Sequence, residues 1–316
     1  MTVPHYMQTS ARQNLLYLLL LFVGGLILGA LLSLLLIAGI FGKDMVNNVM
    51  LMTHTDTPGF VAAFRIFIAF GNTLSQFFFP AVFFAYVVAK EPETYLPTKT
   101  RVPLVMYLLV IGIVFSFLPV VDITSYFNQK MTLPAGFEGL DKWIHDTEKQ
   151  GEKAINTVLQ MKTIGDLLNG LFIVAVLPAV SEEFFFRGCM QTLFKKWTKN
   201  THAAVWITAV IFSFMHLEFL GFVPRMLLGA VLGYLFVWSG SIWPSVLAHC
   251  LNNGISVFFM YLYQHKKIST NLDGNAPMFN QMWIYFICFA VSVVLILLYR
   301  KITLNKQLIT DGEELD

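Results

Sequence analysis

Charge is what this chain has least of. Only 13% of its 316 residues are Asp, Glu, Lys or Arg, where soluble domains carry about 25%. With 56% hydrophobic residues, that excludes an ordinary water-soluble domain. An excess of one sign is also missing. The formal net charge of +2 is too small to attract a polyanion, so nucleic acid is not expected as a partner. Cysteine is scarce. Cys189, Cys250 and Cys288 lie in or beside apolar runs and read as buried thiols rather than a disulfide framework.

What the chain has in quantity is apolar runs of bilayer-spanning length, about 20 residues each. They fall at 14–41, 60–89, 102–125, 167–196, 203–222, 223–240, 242–263 and 281–299. These predict an all-α, polytopic membrane helix bundle of about eight transmembrane helices. The first run is too long for a signal-peptide core and reads as a retained anchor. Lys and Arg in the short loops set the orientation. Arg12, then Lys90, Lys99 and Arg101, then Lys195, Lys196 and Lys199, then Arg300, Lys301 and Lys306 would share one side. Only Lys43, Lys266 and Lys267 fall in the short loops opposite. Both termini are therefore expected to be cytoplasmic. The short loops fit a prokaryotic cell, whose inner membrane would then hold the protein.

Between the third and fourth runs lies a charged stretch in which Ile155, Val158, Leu159 and Ile164 recur at helical spacing. It reads as an amphipathic helix, either a connector on the membrane surface or a lid over a site. Gly25-x3-Gly29 and Gly229-x3-Gly233 predict faces where helices approach closely. Pro178 sits inside the fourth run, where it should kink the helix and free backbone groups. The end of the chain, with Asp311, Glu313, Glu314 and Asp316, reads as a solvated tail.

Against this apolar background, Glu182-Glu183-Phe184-Phe185-Phe186-Arg187-Gly188 is expensive. Each intramembrane charge costs at least ~2.5–3.5 kcal/mol. Glu183 and Arg187 are four residues apart and can pair on one helix face. Glu182 points about 100° away. Two further i, i+4 sets follow, Phe212-x3-His216 and His249-x3-Asn253. Glu182, His216, His249 and Asn253 could converge from three helices. A carboxylate beside imidazoles can take a proton from water and make it a nucleophile toward a peptide carbonyl. His and Asn can donate hydrogen bonds to the oxyanion that forms. Alternatively, Glu182, His216 and His249 could hold a divalent metal, zinc by ligand type. Both schemes use the same residues and stay open. His202, Cys189 and Cys250 are assigned no role beyond packing or the interface.

The ordered set Ser181-Glu182-Glu183-x3-Arg187-Gly188, Phe212-x3-His216 and Ile242-Trp243-Pro244-Ser245-Val246-Leu247-Ala248-His249-x3-Asn253 resembles the CPBP family. These are the type II CAAX prenyl proteases and the bacteriocin-processing (Abi) intramembrane proteases. The resemblance covers about 165–262. It implies a membrane endopeptidase with its site in a cavity open to the cytosol, on the fourth to seventh helices. It implies that Glu182 activates water with His216, that His249 and Asn253 stabilise the oxyanion, and that Glu183 and Arg187 support them. The expected substrate is a membrane-associated peptide or protein in the lipid bilayer. Metal dependence, prenylation of the substrate and oligomeric state are left open. The chain divides accordingly into N-terminal transmembrane helices (1–126), an extramembrane loop with the amphipathic helix (127–166), the protease-like core (167–263), and a last transmembrane helix with its acidic tail (264–316).

Two other classes compete. A proton- or metal-coupled transporter could use the same buried groups as a relay, but such transporters repeat their broken helices in two halves, and no second E-E-x3-R or H-x3-N occurs here. A non-catalytic scaffold or immunity protein would keep the fold without needing the intact polar set.

Overall fold

The computed structural model describes residues 9–268 and 276–313, with side chains described as far as 304. Lys306 and the acidic tail therefore have their side chains outside the described residues. The described elements are all helical: α1 (Ala11–Phe41), α2 (Lys43–Leu51), α3 (Phe60–Val88), α4 (Leu104–Gln129), α5 (Glu138–Val158), α6 (Ile164–Thr198), α7 (Thr201–Met215), α8 (Phe222–Ser239), α9 (Trp243–Gln264) and α10 (Met282–Glu313). Among the described residues, seven helices are long and apolar enough to cross a membrane. The candidate run at 203–222 is not among them. Its helix, α7, stops at Met215 after 15 residues, about 22 Å of helix against a hydrocarbon core of about 30 Å. Large apolar side chains such as Leu20, Leu28 and Leu35 stay exposed along α1, as lipid contact allows.

The chain forms two compact units, one of 1–98 with 176–208 and one of 99–175 with 209–316. The chain changes unit three times, between α3 and α4, inside α6 and inside α7.

In the first unit, α1 starts on a capping box. Ser10 Oγ accepts from the Gln13 N–H at 3.3 Å, and the Gln13 side chain accepts from the Ser10 N–H at 2.9 Å. Such a box satisfies two orphan donors at the helix start. The expected close approach at Gly25 and Gly29 is present. A Cβ on Gly25 would overlap the Ser75 carbonyl, and one on Gly29 would overlap the Ser75 side chain. The facing part of α3, Phe67–Phe78, is π-helical, a rare form that concentrates at functional sites.

In the second unit, the core joins Met106, Val110, Ile113 and Val114 of α4 to Leu228, Leu232 and Leu235 of α8, Ala248 of α9 and Tyr299 of α10. Tyr299 is fully buried and donates its hydroxyl to the Leu235 carbonyl at 3.3 Å. Asp122 of α4 accepts from the Met278 N–H at 2.8 Å and the Tyr285 hydroxyl at 3.0 Å. The chain between α5 and α6 is tied to the end of α9 by Gln264, which accepts from the Met161 N–H and donates to the Leu159 carbonyl. The amphipathic helix expected in 127–166 is α5.

Candidate active site

The acidic motif lies in the part of α6 that belongs to the first unit. Glu183 and Arg187 are both fully buried, with Arg187 Nη1 donating to Glu183 Oε1 at 2.8 Å. The pairing expected from their spacing is therefore formed. The helix is π-helical over Phe184–Gln191, so the pair sits where the helix widens by one residue per turn. The three phenylalanines between the charges pack onto α1 and α3. Phe185 packs on Phe22 and Phe77 with ring centroids 5.3 and 5.5 Å apart, Phe186 on Phe77 at 5.6 Å, and Phe184 on Phe78 at 5.7 Å. Because neither charged side chain is exposed, truncating one partner would remove the counter-charge from the other inside the protein. Gly188 has a separate task, since a Cβ there would overlap the Tyr95 carbonyl oxygen. Further along, Lys196 donates to Glu91 at 2.9 Å and to the Tyr95 hydroxyl at 3.1 Å. Burial raises the Tyr95 phenol above its usual range. Glu182, half-buried, precedes the pair on the α-helical stretch Leu177–Glu183.

The histidine motifs lie in the second unit. His216 was expected inside a helix, but α7 ends at Met215 and His216 opens the turn that follows. The reason is local. The His216 N–H bonds the Ser213 carbonyl three residues back, and Leu217 takes a left-handed backbone with φ 55°, which an α-helix does not continue through. The i, i+4 relation survives in another form, because His216 Nδ1 lies 2.8 Å from the Phe212 carbonyl oxygen. His249 is 2% exposed on α9. The Phe212 ring stands edge-on to both imidazoles, with centroids 4.9 Å from His216 and 5.8 Å from His249. Phe212 thus gathers the two histidines of this unit. In the sequence it only marks a motif, although an aromatic four residues before a histidine is the available signal.

Asn253 shows how α6 tolerates its proline. Pro178 has no N–H for the carbonyl four residues earlier, which is that of Val174. The helix is π-helical over Leu171–Val176, and Asn253 Nδ2 donates to the Val174 carbonyl at 3.1 Å. Asn252 donates in turn to Asn253 Oδ1 at 3.2 Å. One Asn253 N–H is therefore committed to the backbone, and the amide is held in a fixed orientation.

Of the six site residues read from the sequence, Glu182, Glu183 and Arg187 fall on the first unit and His216, His249 and Asn253 on the second. Among the described residues, no three His, Cys, Asp or Glu side chains within either unit are grouped as a metal set. Cys189 is buried, with its Sγ 3.6 Å from the Ala81 carbonyl, in keeping with a packing role.

Residues 165–255 match the family described as type II CAAX prenyl endopeptidase, Rce1-like. That segment is less than a third of the 316-residue chain and contains all six site residues. No curated protein and no solved structure matches the chain. The resemblance read from the motifs is borne out over this segment, and the match supports a CAAX-type intramembrane protease at the level of the family.

Proposed function

We propose that this protein is an integral membrane endopeptidase that hydrolyses a peptide bond near the membrane-anchored end of a peptide or protein. The observation that carries the reading is that the matched segment, 165–255, contains every residue of the ordered set Glu182, Glu183, Arg187, His216, His249 and Asn253. In this reading Glu182, with His216, takes a proton from water as its oxygen attacks the carbonyl carbon. His249 and the second N–H of Asn253 donate to the oxyanion of the tetrahedral intermediate. As the carbon–nitrogen bond breaks, the proton passes to the leaving nitrogen, giving a carboxylate and an amine. Glu183 and Arg187 fix the helix that carries Glu182. If Glu182, His216 and His249 hold a divalent metal, it would supply Lewis-acid polarisation and a more acidic water. The distribution of basic residues among the short loops supports a cytoplasmic position for both termini.

The family's description makes a farnesylated C-terminal peptide the first substrate to test. Glu182→Gln should insert and fold as wild type while losing about 10²–10⁴-fold in kcat, the usual worth of a general base. Cleavage of the peptide at wild-type rate by that variant would end the reading. The same assay in chelated, metal-analysed protein separates the two mechanisms.

A further inference from the structure

The turn after His216 is unusually dependent on side chains from distant parts of its unit. Between α7 and α8 the only regular element is a single 3₁₀ turn, Phe219–Gly221. The left-handed backbone at Leu217 costs a residue with a side chain about 1–2 kcal/mol. Such a segment does not keep its shape unaided. Asn128, at the end of α4 and 5% exposed, grips it twice. Its Nδ2 donates to the Phe219 carbonyl at 3.0 Å, and its Oδ1 accepts from the Val223 N–H at 3.1 Å. Glu148, in the middle of α5, accepts from the Leu220 N–H at 2.8 Å. Trp143 of α5 packs on Phe219 with ring centroids 5.4 Å apart. Ser213 Oγ donates to the Phe222 carbonyl at 2.7 Å, and Glu218 pairs with Arg225 across the turn.

We propose that Asn128 and Glu148 are positioning residues for His216, and that α5 is thereby a latch on the site rather than a passive connector. The inference rests on the peptidase reading of His216. All three of these bonds go to backbone groups of the turn, so they specify its path whatever its side chains are. Without the Glu148 contact, the Leu220 N–H must find another acceptor and Leu217 is released toward an unstrained backbone. His216 adjoins Leu217 and moves with it. A displacement of about 1 Å at a catalytic group can cost on the order of 10²-fold.

The test uses the full chain in detergent, with a quenched farnesylated peptide as substrate and amide hydrogen exchange across 214–223. Glu148→Ala should lower kcat by about 10-fold or more with KM changed by less than about 3-fold, because the turn orders a reacting group. It should also lose exchange protection at Leu220. Glu148→Gln keeps the accepting oxygen and should restore both. Asn128→Ala should act in the same direction. Since that variant removes a buried amide and can fail to fold, the Glu148 pair decides alone. Wild-type kcat and protection in Glu148→Ala overturn the proposal, and so does a Gln variant as impaired as Ala. If the wild type cleaves nothing, the peptidase reading fails separately and exchange decides the latch. Lost protection restored by Gln supports the clamp, and unchanged protection in Glu148→Ala overturns it.

Discussion

The two sets of motif residues are built in opposite ways. The Glu183–Arg187 pair is wholly buried within one helix whose intervening phenylalanines pack on α1 and α3. Its geometry is over-determined by packing. His216 stands in a short irregular turn, half-buried, and the turn is held by two hydrogen bonds from Asn128 of α4 and one from Glu148 of α5. Close-packed interiors resist displacement, whereas loops held by a few polar contacts open locally at low cost. The carboxylate region is thus the fixed part of the machinery, and the histidine turn is the part that can be adjusted. Alterations to the first should register mainly as stability, and alterations to the second mainly as rate.

The largest effect should come from breaking the buried pair. Arg187→Leu leaves Glu183 uncompensated among Phe184, Phe185 and Phe186, and should cost about 3–5 kcal/mol. Glu183→Gln combined with Arg187→Leu should recover much of that loss, because no charge is left stranded. Unfolding of the detergent-solubilised variants measures both. A single variant as stable as wild type would show that the pair is not sealed from water. Gly188→Ala comes next. Its Cβ would overlap the backbone carbonyl of Tyr95, which cannot swing aside as a side chain can. Overpacking of this kind costs about 1–3 kcal/mol. A melting curve unchanged by Gly188→Ala would mean that the chain around Tyr95 yields freely.

How much of this was legible in the sequence follows the same division. Helix-local features could be read: the membrane spans from their apolar length, the Glu183–Arg187 pair from its spacing, and the close approach at Gly25 and Gly29 from small residues one turn apart. What escaped was set by departures from the regular helix or by contacts between distant segments. The π-helical stretches leave no mark in a pattern judged at 3.6 residues per turn. His216 was read as helical because the apolar run continues past it, while the left-handed Leu217 that ends the helix is an ordinary residue by composition. Asn253 carried an oxyanion role in the sequence but not its bond to the Val174 carbonyl, which needed two residues 79 positions apart in the chain to be brought together. Asn128 looks like a polar terminus of an apolar run. Glu148 is one acid among many in a charged stretch, and only its contact with Leu220 distinguishes it.

The smallest effect tests the adjustable side of the comparison through pH. Burial pushes the Glu148 carboxyl above its usual range, and the nearby Glu218 adds to the shift. The Leu220 N–H, Arg225 and His145 act against it. The folded protein therefore holds this proton more tightly than the unfolded chain does. By linkage, Glu148 contributes most to folding at low pH, and that contribution is lost as pH rises from the ordinary glutamate range through the raised value. Glutamine at 148 accepts from the same N–H but carries no such proton. The melting temperature of Glu148→Gln relative to wild type should thus be lowest below about pH 4, rise in favour of the variant as pH increases through that window, and then level off. A melting temperature of Glu148→Gln that instead falls relative to wild type as pH rises would reverse the sign and show that the charged carboxylate strengthens its hold on the turn by more than burial costs it.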